Sequence, residues 1–316
     1  MKTIYYGILS LFLTLCILLM PREALDGASQ GLLLWFNRVV PAMLPCMMLT
    51  SFCMETGLFH RLQTRNSSRL QKITGLSGGG LYAAFLGLLC GYPMGAKITA
   101  DLYKKNLLDR REACHLLCFC NQLSPSFLIE YVLFGLYADT SSTAFFLPAM
   151  YLGILFTQLF YHIRFSRSVN IPFVQAASLT YKKEASETFT LGKSLDASVI
   201  NSLEIIAKIG GYMIFFSVLA KLLSRFIAPI APWDAVLVTV MELTTGLDTL
   251  RQSFGPTLPG ICLACALCAF GGLSSVMQTA SVLKGTDLSM GSYLRAKILQ
   301  STVTLFLAFL LCLFFR

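Results

Sequence analysis

The chain has 316 residues, 55% of them hydrophobic and only 13% charged, with a mean hydropathy of +0.67 and a net charge of +9. A water-soluble domain carries about 25% charged residues, so the composition excludes a soluble enzyme and points to one polytopic membrane body. The surplus Lys and Arg sit in short loops beside apolar runs, which is how membrane chains are oriented; nucleic acid is excluded as a partner and membrane lipid is the expected one.

In chain order, Ile4 to Met20 is an apolar run behind Lys2, long enough to span, with no small-residue cleavage pattern in the following PREALDGAS. Glu23 to Phe36 is mildly amphipathic, and Val39 to Phe59 is a second span interrupted by Pro41 and Pro45. His60 to Lys72 carries Arg61, Arg65, Arg69 and Lys72 without an acid, the clearest cytoplasmic loop. Lys97 to Glu112 is basic as well, with five Lys/Arg against three acids. Two loops on one side cannot be separated by one full crossing, so Leu76 to Tyr92 reads as a re-entrant hairpin. Ala113 to Leu136 crosses outward and Phe145 to Ile163 returns. Arg164 to Lys193 is the longest polar stretch and the natural midpoint. Val199 to Leu223 crosses again, Ala235 to Leu250 and Gly260 to Leu283 are a second pair of interrupted segments, and Ile298 to Phe315 is the last span.

The halves look related. GLLLWFNRVVPAMLPCMMLTSF matches SLDASVINSLEIIAKIGGYMIFFSVL in placement, and CGYPMGAKITADLYKKNLL is echoed by FGGLSSVMQTASVLKGTDLS. Loop charge makes the two copies run in opposite directions, as an inverted repeat requires. The expected architecture is all-α, with about six spans and two re-entrant segments. It divides into a first span over 1–22, one repeat half over 23–163, a cytoplasmic linker over 164–195 and a second half over 196–316.

Eleven cysteines raise the question of metals. Cys262, Cys265 and Cys268 form a C-x-x-C-x-x-C run, but no His or carboxylate lies within it to complete a site, so they read as small hydrophobes. No cofactor or metal is expected. His60, His115 and His162 are scattered and no catalytic constellation appears, so the chain does not read as an enzyme.

Polar residues at membrane depth are costly and are functional candidates for that reason. Gly91, Tyr92, Pro93, Gly95 and Lys97 make the first tip. Its glycines allow close backbone approach, and the positive end of the helix starting near Met94 favours an anionic or strongly hydrogen-bonding solute. Asn121, Gln122, Ser124 and Ser126 surround Pro125, which removes a backbone donor and frees a carbonyl near Asn121. Ser274, Ser275, Gln278 and Thr279 would make a second tip opposite the first. Glu242, flanked by Thr244 and Thr245, is the candidate for coupling to sodium or a proton; its alternative is an ion pair with Lys208. Glu130, Glu204 and Lys208 are lesser candidates near the interfaces.

These motifs carry a resemblance. GLLLWFNRVVPAMLPCMMLTSF, GYPMGAKITADLYKK with RREA, and MELTTG followed by FGGLSSVMQ resemble the YlbJ-type sporulation integral membrane proteins, over about Gly31 to Gln300. That family's membrane body contains the gate, or nucleoside-recognition, domain shared with concentrative nucleoside transporters and spore maturation proteins. The sequence departs from it at Gln122 and Leu123, between the retained Asn121 and Pro125. The resemblance implies a multi-pass protein of the bacterial cytoplasmic or a sporulation membrane, acting in endospore formation at the cortex stage. The expected function is alternating-access movement of a small polar, nucleoside-like solute. A non-transporting scaffold that recruits cortex-building enzymes is the alternative, and a homo-oligomer is compatible with both.

Overall fold

A computed structural model describes residues 2–55, 74–137, 144–166, 191–227 and 230–314. The basic loop 60–72, most of the linker 164–193 and most of the outer loop 137–143 lie outside the described residues, so the side assigned to each loop stays an expectation.

The described residues are helical and contain no strand. Helix α1 is Lys2–Leu19. Helix α2, Pro21–Leu34, starts with proline where no amide is needed and continues through a π-helical turn, Trp35–Val39, into α3, Val40–Glu55. The two arms of this rod meet at 56°, a bend expected where a π-turn and Pro45 interrupt the hydrogen-bond ladder. Gly27 and Gly31, one turn apart on α2, press on helix α8, Leu191–Ile227. A Cβ on Gly31 would sit 2.8 Å from Ser217 Oγ and one on Gly27 2.9 Å from the Ser217 carbonyl. In lipid, where apolar side chains gain little by leaving solvent, such backbone-close packing is what holds helices together.

Against the α2–α3–α8 arm lie two units of the same design. In the first, α4 (Gly78–Cys90) turns at Gly91–Pro93 and folds back as α5 (Met94–Lys104). Next comes α6 (Arg110–Phe119), which stops at Cys120; after irregular backbone a π-helical segment, Phe127–Leu136, resumes. Helix α7 (Phe146–Ser166) closes the unit. In the second, α9 (Asp234–Met241) turns at Glu242 and folds back as α10 (Leu243–Phe254). Helix α11 (Leu258–Phe270) breaks at Gly271 and resumes as α12 (Gly272–Val282), and α13 (Met290–Phe314) closes the unit.

Hairpin, interrupted helix, uninterrupted helix: the order recurs, but not in the register expected from sequence. Leu258–Val282 is long and apolar enough to be one crossing. Ser274 to Thr279 therefore belong to an interrupted span and not to a re-entrant tip, and the second folded-back tip is Glu242. The counterpart of CGYPMG is MELTTG, and FGGLSS answers CNQLSP. Among the described residues, four helices are long and apolar enough to cross a membrane, or five if the bent α2–α3 rod counts as one, where the sequence predicts about six over the whole chain.

The caps explain most helix starts. Ser77 caps α4 through Gly80 N, Asp109 caps α6 through Glu112 N and Thr257 caps α11 through Gly260 N. Outside the apolar body, Asp287 accepts from the Tyr103 hydroxyl and from Arg110 Nε, both at 2.7 Å, and these bonds hold its carboxyl below the usual range. That contact ties the loop after α12 to the elbow after α5. The apolar interior forms two large clusters and a small third one of Cys118, Tyr161 and Ala296. Of the large ones, the first lies around α3, α5, α6 and α8; the second lies around the 127–136 segment, α7, α11 and α13 and takes in Cys262, Cys265 and Cys268.

Candidate solute site

Where the two large clusters meet, a half-open cavity remains, about 580 Å³ of empty space counting its open mouth. Both hairpin tips and both interrupted helices reach it: Gly91 and Tyr92, Leu123 and Ser124, Glu242 and Thr244, and Gly271, Ser274, Ser275 and Gln278. Val39 and Met43 of the bent rod and Ile209 and Met213 of α8 form the apolar wall opposite.

The first break is held open by a buried polar network. Pro125 cannot donate to the Asn121 carbonyl one turn back, and the carbonyl is met instead by Lys297 Nζ at 3.4 Å. The same ammonium donates to Gln122 Oε1 at 2.9 Å and Gln300 Oε1 at 3.2 Å, and lies 5.0 Å from the centre of the Tyr92 ring. Lys297 is fully buried, and no carboxylate pairs with it among the described residues. Gln122 and Gln300 exchange amide hydrogen bonds at 2.8 and 2.9 Å. Asn121 Nδ2 donates to Thr279 Oγ1 (2.8 Å) and Tyr293 OH (3.2 Å), and its Oδ1 accepts from Ala96 N (3.3 Å). Asn121 thus supplies the cap that α5 lacks locally and pins break, hairpin and α12 together. Ser124 Oγ accepts from Phe127 N and so starts the 127–136 segment.

The second unit is built differently. Glu242, 3% exposed, turns its carboxylate back onto its own helix and accepts from Thr245 N at 2.7 Å. Thr245 Oγ1 lies 3.1 Å from Ser217 Oγ of α8, and the Thr244 carbonyl accepts from Tyr131 OH at 2.9 Å. Lys208 is not Glu242's partner; it pairs with Glu204 on the exposed side of α8. Helix α12 has no side-chain cap, so its positive N-terminal end meets the cavity unneutralised. Gly271, at φ +89°, is a position for glycine alone: a Cβ there would lie 2.6 Å from the Tyr92 hydroxyl. That hydroxyl is buried and meets no hydrogen-bond partner of good geometry, its polar neighbour being Tyr293.

Of the residues expected at a site, Gly91, Tyr92, Ser124, Glu242, Thr244, Ser274, Ser275 and Gln278 line the cavity. Asn121, Gln122 and Thr279 stand behind it in the network. Pro93 is the N-cap of α5, and Thr245 holds Glu242. Gly95 does not reach the cavity; it lies against the Cys120 carbonyl, which a Cβ would approach to 2.4 Å. Lys97 points away and pairs with Asp101 at 2.7 Å. Glu130 is exposed. Sequence reasoning missed Tyr293, Lys297 and Gln300. Their signal was the 4–3–4 spacing of Tyr293, Lys297, Gln300 and Thr304, a polar stripe on one face of the last helix.

No protein-family model matches the chain, and no solved structure resembles it. The chain is 26% identical over 317 aligned positions to the sporulation integral membrane protein YlbJ of Bacillus subtilis (strain 168), an alignment covering 92% of this chain and 78% of that one. Together with its apolar helices, this similarity makes the chain a multi-pass integral membrane protein.

Proposed function

We propose that the protein moves a small polar solute across a membrane of a spore-forming bacterium, by alternating access around the cavity between the two units. The observation that carries this reading is convergence. Two hairpin tips and two helix breaks, each costly at membrane depth, meet at one half-open cavity. The buried Tyr92 hydroxyl beside it faces only Tyr293, outside good hydrogen-bond geometry, and keeps capacity for a polar partner from the cavity. The cavity offers one hydrogen-bonding edge (Ser274, Ser275, Gln278) and one apolar wall (Met43, Ile209, Met213). This suits a flat or amphipathic solute such as a nucleoside. The uncapped α12 and the buried Lys297 favour one that also carries an acceptor or negative group. Glu242 couples the movement to sodium or a proton, and the two units are related as an inverted repeat in a gate-like body. The similarity to the sporulation protein YlbJ supports a role in endospore formation, and we set that role at the cortex stage.

The test is genetic. Glu242→Gln and Asn121→Ala are introduced into the chromosomal copy, and heat-resistant spores are counted at matched protein levels. Loss of spores in both supports the cavity reading; normal counts in both contradict it.

A further inference from the structure

The cavity does not end at its apolar wall. A second, smaller opening, about 290 Å³ of empty space counting open solvent, lies one to two turns further along the same elements. On the bent rod the cavity is lined by Val39 and Met43, and the second pocket by Met47, Thr50 and Ser51. On α8, Met213 and Ile209 give way to Ile205 and Asn201 in the same sense, and on the hairpin Gly91 and Tyr92 give way to Met94, Lys97 and Asp101. Residues four apart on a helix stack on one face, about 5–6 Å from each other, so the two pockets are consecutive chambers of one seam. Met47, 1% exposed, and Met94, 5% exposed, line the second pocket at the end nearer the cavity. Unbranched thioether side chains fill irregular space and repack with little cost, which suits a plug that must open.

The second pocket is polar where the seam is apolar. Lys97 and Asp101 pair along one face of α5 at 2.7 Å, and Asn201 Nδ2 donates to Ser51 Oγ at 3.2 Å across from it. The ion pair is not sealed in, its side chains being 22% and 27% exposed, while Ser51 is buried.

We infer that the α3–α5–α8 seam is the access route of the cavity, with Lys97, Asp101, Ser51 and Asn201 as an outer solute-binding station and Met47 and Met94 as the gate. The class of solute is the one proposed above, on which this inference rests: a negative or acceptor group takes Lys97 from Asp101, while Ser51 and Asn201 supply neutral hydrogen bonds. The station accounts for Lys97, a cation on the hairpin that the cavity itself does not use.

The test needs no known solute. Ser51→Cys and Ser274→Cys are made singly, in the full chain in sealed membrane vesicles. A small anionic methanethiosulfonate is added from either side, and labelling is read peptide by peptide by mass spectrometry, so native cysteines do not interfere. The route predicts that both positions label from the same side, Ser51→Cys faster. Adding Met47→Trp slows labelling at Ser274→Cys about tenfold or more, an added barrier of about 1.4 kcal/mol, and slows Ser51→Cys, on the outer side of the same side chain, by less. Adding Met47→Ala speeds Ser274→Cys. Labelling of the two positions from opposite sides, or a Ser274→Cys rate indifferent to both Met47 substitutions, overturns the route. Either result leaves the cavity standing, because its own test reads spore formation through Glu242 and Asn121.

Discussion

The two units share an order of elements and differ in how each solves the same problem, a helix end inside an apolar body. In the first unit the solution comes from elsewhere: Asn121 caps α5 across the break, and Lys297 of α13 fills the carbonyl freed by Pro125. In the second it is local: Glu242 caps α10, and the α11 break is a bare pair of left-handed glycines, Gly271 and Gly272. The cavity thus has a buried amine behind one side and a buried carboxylate on the other, unpaired with each other. Each is held by its own hydrogen-bond network, and the two share no bond.

The contrast can be broken most forcefully at the first unit's dependence on close approach. Gly95→Leu drives a side chain into the Cys120 carbonyl, which is backbone and cannot swing aside. The cost is expected at about 3 kcal/mol or more, seen as loss of a monodisperse species on size-exclusion chromatography in detergent. Gly211→Leu on α8, where a Cβ meets nothing within 4 Å, leaves the elution profile unchanged.

Next come the two charges. Glu242→Ala removes a helix cap and lowers stability by about 1 kcal/mol, whereas Glu242→Gln keeps an acceptor for Thr245 N and costs less. Both abolish any dependence of solute binding on sodium or pH, measured by thermal shift. Lys297→Met removes a costly buried polar group and strips donors from Gln122 and Asn121 at the same time. These effects oppose each other, so stability changes by no more than about 1–2 kcal/mol, while solute binding is lost.

The last effect, visible only over a narrow pH window, lies outside the spans. Glu112, at the elbow end of α6, accepts from Ser77 N, and burial outweighs that bond and pushes its pKa from the ordinary 4.5 up to about 6. A raised folded-state pKa means the native state prefers the protonated form. The contribution is full below about pH 4.5 and is lost as pH rises through about 6, on the order of 1–2 kcal/mol in all. Wild-type melting temperature therefore falls over that window relative to Glu112→Gln. Parallel pH profiles contradict the assignment.

Much of the site was legible because breaks at membrane depth are costly and leave marks: Gly91–Pro93, Asn121–Pro125 and Gly271–Ser275 all carry glycine, proline or clustered polar residues. The pairing of the units was misread for a physical reason. The second hairpin turns at Glu242 through extended backbone, φ −136° and ψ 116°, which any residue can adopt, so the turn carries no glycine signature. The glycines of FGGLSS imitate a tip while marking an interrupted span. Lys297 escaped because the last span was drawn from Ile298, trimming off the polar residues that give α13 its inner face. Lys97 misled because three residues of helix beyond Met94 carry a side chain to another face.

The central claim, that the two units together form one solute site, is tested most directly by thermal shift of the purified protein. Nucleosides, bases, small aromatic and aliphatic carboxylates and cell-wall precursors are screened with and without sodium. A solute at a hundredfold excess over its dissociation constant adds roughly 2.7 kcal/mol of stability. The account predicts such a shift for at least one polar solute with an acceptor or negative group. It also predicts that the shift disappears in Lys297→Met of the first unit's network and in Ser275→Ala of the second. A shift that survives both substitutions, or a screen in which nothing shifts the wild-type protein, contradicts it.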